Sequence, residues 1–341
     1  MVHAFGRDIK GTRLQMRRRE FLRVAAAGWC FAAASARAQD AAKDAWPAHT
    51  SRFIVPFAAA GAIDIPARLI ADRLSRDLAA NFIVENRTGA GGAIGAQAIV
   101  QWPPDGSGFL FTSSSVASLP ALRAKLGFDP LHDLLPVSLV CDVPTALLVA
   151  AKSRFADVPQ IIAEARANPG KLTYGSGGVG SSNHLAGASF ASTAGIELLH
   201  VPYRGAAQVL NAIYAGQIDL VFAPTLEMLG YVKARAVRAL GIALPQRLPT
   251  LPDVPAIAEF VPGYAVSNWF AMFAPEHLPE ELRARMVKAL AALRDWPDLQ
   301  ARLGAGAAIV RLDGPEPLAK RLAEDTANMS ALIKKLGLKA E

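Results

Sequence analysis

The residues with the clearest chemical potential in this chain are small ones. Leu172–Gly187 reads LTYGSGGVGSSNHLAG: a short apolar lead, a glycine and serine cluster, then a helix-like run. The first turn of a helix carries backbone N–H groups without partners and a partial positive charge, so a small-residue turn that opens a helix is an anion site. Glycine and serine matter because larger side chains would hold a ligand away from the backbone. Ser181 and Ser182 add hydroxyls at the expected helix start, where either could also serve as the N-cap. A second turn of this kind, PFAAAGAID at 56–64, has an open stretch from Ala58 to Ala62 and Asp64 as a natural N-cap.

Gly175, Gly177 and Gly180 also spell G-x-G-x-x-G, and Glu197 follows Gly175 by 22 residues, close to the spacing of a dinucleotide fingerprint. An exported NAD-dependent oxidoreductase is therefore the alternative reading. Against it, SSNH follows the third glycine where such a helix continues with small apolar residues, and the unit begins only after residue 170. Other chemistry is thin. His49, His132, His184, His200 and His277 show no metal-ligand spacing. Ser182 and His184 are two apart and do not face each other on a helix, which argues against a hydrolase triad. No catalytic residue, cofactor or metal is assigned, and His184 reads as structural at the edge of a cleft.

Both turns need strands to carry them, and the chain supplies a repeated pattern of short β-rich runs followed by helical periods. RFIVPF (52–57) precedes a helix whose Ile70, Leu74 and Leu78 share one face; NFIVENR, GFLFTSSS, LLPVSLVC, ALLVAA, KLTYGS, LLHVPY, IDLVFAP and VRALGIA follow. Helices are expected near 92–101, 157–168, 182–194 and 205–215. The tail from about 279 is mainly helical with one strand-like run, AAIVRL, and NWFAMFAP follows a Pro/Gly-punctuated loop. Alternation of this kind predicts an α/β architecture with parallel sheets covered on both faces. In such sheets the turns after the strands line a crevice, which would bring the two small-residue loops together.

The charge balance belongs mostly to the N-terminus. The formal net charge of +7 includes residues 1–38, which carry eight of the 36 Lys/Arg and two of the 29 Asp/Glu, so the remainder is near +1 and lacks a basic patch for nucleic acid. Residues 16–38 have the three parts of an export signal: Arg17–Arg19, a short apolar stretch, and Ala36-Arg37-Ala38 as cleavage site. Arg18-Arg19-Glu20-Phe21-Leu22 is twin-arginine-like, and Met16 is the expected true start. The exported chain then holds Cys141 as its single thiol, read as a small buried residue.

Eight motifs in order, among them IVPFAAAGAIDIPARLIADRL, VENRTGAGGAIGAQAI, NPGKLTYGSGGVGSSNHLAG, HVPYRGAAQVLNAIYAGQIDLVF and PGYAVSNWFAMFAPEHLP, resemble the substrate-binding proteins of tripartite tricarboxylate transporters, the Bug family of periplasmic receptors. The resemblance spans the chain from about residue 50. It implies a type II periplasmic-binding-protein fold: lobe 1 over 39–143, lobe 2 over 144–267, and 268–341 returning to lobe 1 with C-terminal helices. It implies a monomeric receptor, not an enzyme, that binds a small organic carboxylate in the cleft and delivers it to membrane permease subunits. By motif, the first-lobe grip would be Phe57, Ala60, Gly61, Ala62, Asp64 and Ser114. The second-lobe grip would be Gly178, Gly180, Ser181 and Ser182, with Tyr203 near the mouth and Trp269 by the return crossing. Departures from the family's pattern at Ala59, Ala60, Ile63 and Ala223 remove polar groups or glycine, and predict a more apolar cleft suited to an aromatic or branched acid.

Overall fold

The structure, a computed structural model, describes Trp46 and residues 50–123, 125–266 and 268–338; the expected export signal at 1–38 lies outside them. The strands of the first lobe are β1 (Ser51–Val55), β2 (Phe82–Asn86), β3 (Gly108–Ser113), β4 (Leu134–Asp142), β10 (Trp269–Pro275) and β11 (Ile309–Asp313), in the order β11-β4-β10-β3-β1-β2. Those of the second are β5 (Thr145–Ala150), β6 (Thr173–Ser176), β7 (Leu199–Pro202), β8 (Leu220–Pro224) and β9 (Val237–Ile242), in the order β7-β6-β8-β5-β9. The result is two α/β lobes.

The sheets are mixed rather than parallel as the alternation predicts. β1 pairs parallel with β2 and β3, and β6 with β7 and β8, but β10 is antiparallel to β3 and β4, and β5 to β8 and β9. The cause is the double crossing of the chain. Strands β1, β3 and β8 end at the space between the lobes, whereas β5 and β10 enter their sheets from that same edge and so must run the other way. The two crossings are tied together: Val143 N–H donates to the Asn268 carbonyl at 2.8 Å, and Ala243 N–H to the Thr145 carbonyl at 2.8 Å.

Around these sheets lie α1 (Asp64–Asp77), α2 (Ala93–Val100), α3 (Leu119–Leu122), α4 (Val158–Ala167), α5 (Ser182–Ala194), α6 (Ala206–Tyr214), α7 (Thr225–Lys233), α8 (Glu280–Ala291), α9 (Pro297–Gly304) and α10 (Pro315–Leu336). In α1, Ile70 and Leu74 are buried, and Leu78, its C-cap, is half-buried, as their spacing predicts. The helix α7 goes beyond the sequence pattern: it follows Pro224 directly, with no side-chain cap to announce it. Ile54, Ile99, Leu110, Trp269, Phe273 and Leu318 form the first-lobe core; Leu147, Ile161, Phe190, Phe222 and Tyr264 belong to that of the second. Each such side chain contributes about 1.5–3 kcal/mol by burial, which fixes the two lobes as firm supports for their loops. Cys141 is fully buried in β4, and burial raises its thiol pKa well above the ordinary value, as suits a packing residue. Among the described residues no helix is long and apolar enough to cross a membrane.

Candidate functional site

A cavity of about 500 Å³ opens between the lobes, and loops from both line it. From the first lobe come Phe57, Gly61 and Ala62, the turn Thr88–Gly92, Arg123 and Asn268; from the second come Gly177, Gly178, Ser181, Ser182, Asn183, Arg204 and Glu227. The two small-residue turns singled out from the sequence thus share one hollow.

The second-lobe turn is built as an anion-binding helix start. Ser181 is the N-cap of α5: its Oγ accepts from His184 N–H at 3.4 Å and donates to the Gly178 carbonyl at 2.7 Å. Gly178 and Gly180 have φ of +118° and +84°, where a side chain is strained, and a Cβ on Gly180 would meet Leu122 Cδ1 at 2.4 Å. Their amides are already used, Gly178 N–H by Ser176 Oγ at 3.1 Å and Gly180 N–H by His184 Nδ1 at 3.2 Å. The N–H groups of Gly177, Val179, Ser182 and Asn183 have no acceptor among the described residues, and neither has Ser182 Oγ a partner. Those amides and that hydroxyl are what the turn offers to an anion.

Beneath the turn sits a buried aromatic layer. His200 Nε2 lies 2.6 Å from Ser176 Oγ, the His184 and His200 rings are 4.1 Å apart, and Tyr174 flanks both. Burial, and for His184 also its neighbour His200, lowers both imidazole pKa values to about 4. Both rings are therefore neutral at pH 7, and His184 Nδ1 is free to accept from Gly180. The structural reading of His184 is refined: it shapes the turn from behind.

The first-lobe turn is held by Asp64. Its carboxylate accepts from Ala60 N–H at 2.8 Å, Arg68 Nε at 2.7 Å and Asn86 Nδ2 at 2.9 Å. Burial alone would raise its pKa, yet the Arg68, Asn86 and Ala60 donors hold it below the ordinary carboxylate range. Asp64 is 2% exposed and committed to the loop, away from the cavity wall. Ala60 sits at φ +62° and lines a neighbouring cavity, whereas Gly61 and Ala62 reach the shared one. Ala62 and Glu227 of the opposite lobe line the same cavity.

The structure does not bring four further expected residues to the cavity wall. Ser114 Oγ donates to Asn268 Oδ1 at 2.9 Å and faces a smaller hollow. Its effect is indirect, because it fixes the Asn268 amide with Nδ2 as a buried donor that has no partner among the described residues. Gly180 packs behind the turn, and Tyr203 packs against the second-lobe core. Trp269 is fully buried and donates from Nε1 to Asp325 Oδ2 at 2.6 Å. Sequence reasoning assigned no role to the Thr88–Gly92 turn, although TGAGG opening α2 has the same small-residue signature as the other two. It also missed Arg123, Asn183, Arg204, Glu227 and Asn268, whose positions depend on contacts remote in sequence. Of the positions behind the expectation of a more apolar cleft, Ala223 is fully buried in the second-lobe core.

The dinucleotide reading fails on geometry. β6 and β7 are parallel, with Thr173 beside Leu199 and Ser176 beside Pro202, so the glycine turn follows the carboxyl end of the pair while Glu197 precedes the amino end. An acidic residue there cannot reach a ribose whose phosphates sit on the turn.

Comparison with known proteins gives a consistent result. The family model described as the tripartite tricarboxylate transporter family receptor matches residues 66–338. A protein encoded in the tcbD-tcbE intergenic region of Pseudomonas sp. strain P51 is 36% identical over 303 residues, 87% of this chain and 89% of the relative. The solved structure of the periplasmic binding protein BugD superposes with a TM-score of 0.81 at 29% identity, covering 87% of this chain and all of that one. Rpa4515 of R. palustris, solved with adipate, gives 0.82 at 30% identity, covering 86% and 99%.

Proposed function

This chain belongs to the tripartite tricarboxylate transporter receptor family, and from that premise we propose that it is an extracytoplasmic receptor that binds a small organic carboxylate between its lobes and delivers it to membrane permease subunits. The observation that carries this reading is the set of unused donors at one cavity: four N–H groups of the 177–183 turn and Ser182 Oγ. Arg123 and Arg204 line the same cavity and add positive charge. An anion is what such a surface lacks.

The magnitudes suffice. Micromolar binding needs about −8 kcal/mol. A hydrogen bond to a charged group contributes roughly 1.5–3 kcal/mol, and a favourable helix end up to about 2. Four or five donors on one carboxylate reach that scale after ordering costs. Among the expected residues, Phe57, Gly61, Ala62, Gly178, Ser181 and Ser182 line this space, and the reading adds Asn268 and Arg123 to them. The expected export signal at 1–38 supports a periplasmic location, and the reading takes the working protein as a monomer. Family membership and the position of Glu197 leave the oxidoreductase alternative without support.

A native mass spectrum of the protein purified from its own host tests the reading: a retained small acid, released on denaturation, is expected. Protein that is free of any acid, and that shows no heat of binding with any member of a panel of mono-, di- and tricarboxylates, would refute it.

A further inference from the structure

A second space of about 460 Å³ adjoins the interlobe cavity and is likewise lined from both lobes. Three elements run from one space into the other. The first-lobe turn gives Phe57 and Ala62 to the cavity and Ala59 and Ala60 to its neighbour, with Ala58 and Gly61 on both. Ahead of α6, Arg204 and Gly205 line the cavity, and within it Ala207 and Leu210 line the neighbour. In α7, Glu227 lines both, and Gly230 only the neighbour. The two spaces are thus successive lengths of one groove, and at their junction Ala58 and Gly61 have little or no side chain to divide them. The walls of the second length are apolar: Ile65 and the 58–60 alanines on one lobe, Leu210 and Leu226 on the other. Lys233 and Arg302 also line it and are exposed. The lobes meet along one edge of it, where a Cβ on Gly306 would come within 3.1 Å of Leu226 Cα. An apolar wall left against water is unfavourable, and apolar ligand surface relieves it. Each length alone falls in the range of about 300–1,000 Å³ of a site for a drug-sized ligand, so together they exceed what a compact acid fills.

We propose that the receptor takes carboxylic acids with an extended apolar body, which lies over Ala58 and Gly61 into the second length of the groove while the carboxylate rests on the 177–183 turn. The inference deepens the carboxylate-receptor reading and rests on it. The free amides of the turn supply the contacts that every acid shares. Leu210, Leu226 and the alanines supply a preference for chain length, because each methylene fully buried against them raises affinity about fourfold.

The test is calorimetry of the full exported chain with hexanoate, octanoate and decanoate, beside a set of compact di- and tricarboxylates. Wild type is expected to bind decanoate tighter than hexanoate by about tenfold or more, the effect of four methylenes with half of their surface buried. Gly230 lines only the second length, and a Cβ there meets nothing within 4 Å. Gly230→Leu therefore fills that space and leaves both turns alone. It should keep hexanoate within about threefold of wild type and bring decanoate within about threefold of hexanoate. Ala207→Phe fills the same space from α6 and takes its place if Gly230→Leu melts below wild type. Three results would overturn the inference and leave the receptor reading intact. They are affinity that does not rise from hexanoate to decanoate in wild type, binding of compact polyacids alone, and a rise that survives in the filled variant. A fall in hexanoate affinity as large as that of decanoate would also overturn it, since the filler would then displace more than the tail. Binding of no acid by any form would overturn the receptor reading and this inference with it.

Discussion

Ser181 and Ser182 are neighbours at one helix start, and the structure assigns them separable jobs. Ser181 caps α5 and bonds back to Gly178, whereas Ser182 Oγ has no partner among the described residues. Ser182→Ala therefore removes nothing from the folded state, and its melting temperature should stay within about a degree of wild type. If the hydroxyl answers a ligand carboxylate, its loss costs roughly 1.5–3 kcal/mol, a drop in affinity of about 10- to 150-fold. Ser181→Ala removes a cap worth about 1 kcal/mol of stability. It also removes one of three donors to the Gly178 carbonyl, leaving Ser181 N–H and Ser176 Oγ, so the turn loosens and affinity falls as well. Thermal denaturation paired with calorimetry on the acid identified for the wild type separates the two. Unchanged affinity in Ser182→Ala would remove the hydroxyl from the site. A large stability loss in that variant would mean that Ser182 has a folding role the structure does not show.

Further expectations follow from the supports of the two turns. Ala60 holds φ +62°, so Ala60→Gly should stabilise the protein by up to about 1 kcal/mol in urea denaturation, and a loss of stability would contradict the assigned conformation. His184 and His200 have folded-state pKa values near 4 against 6.5 unfolded, so the unfolded chain gains protons that the native one refuses. Their contribution is whole above about pH 6.5 and is lost as pH falls toward 4, on the order of a few kcal/mol. His184→Asn, which can still accept from Gly180, should flatten melting temperature against pH across that window, and an unchanged slope would speak against the buried pair. Trp269→Phe should cost about 2–4 kcal/mol through lost packing and the missing bond to Asp325, with ligand affinity altered less than about threefold. A binding defect larger than the stability defect would return Trp269 to the site.

The sequence was most legible where function lies in the main chain. Ser181 as cap and Gly195 in the left-handed region mark the two ends of α5 by local chemistry alone, and the expected 182–194 matches the structure. The small-residue turns were readable for the same reason, since openness of the backbone is written in residue type. Side chains were harder. Asp64 and Trp269 are residues that function often uses, but here Arg68 and Asn86 engage the first and Asp325 the second. No local pattern distinguishes a carboxylate that ties a loop from one that meets a ligand. Glu227 and Asn268 were missed because their surroundings are set by residues remote in sequence, as with Ser114, 154 residues before the Asn268 it bonds. The sheets misled in direction because strand hydrophobicity is blind to it; the double crossing, not composition, turns β5 and β10 around.

A crystal structure of the protein with its own acid bound tests the central claim most directly. One carboxylate oxygen should lie about 2.7–3.2 Å from the Ser182 N–H or another free amide of the 177–183 turn, with the acid enclosed between that turn and Gly61–Ala62. An acid held elsewhere, with those amides facing only water, would contradict the account.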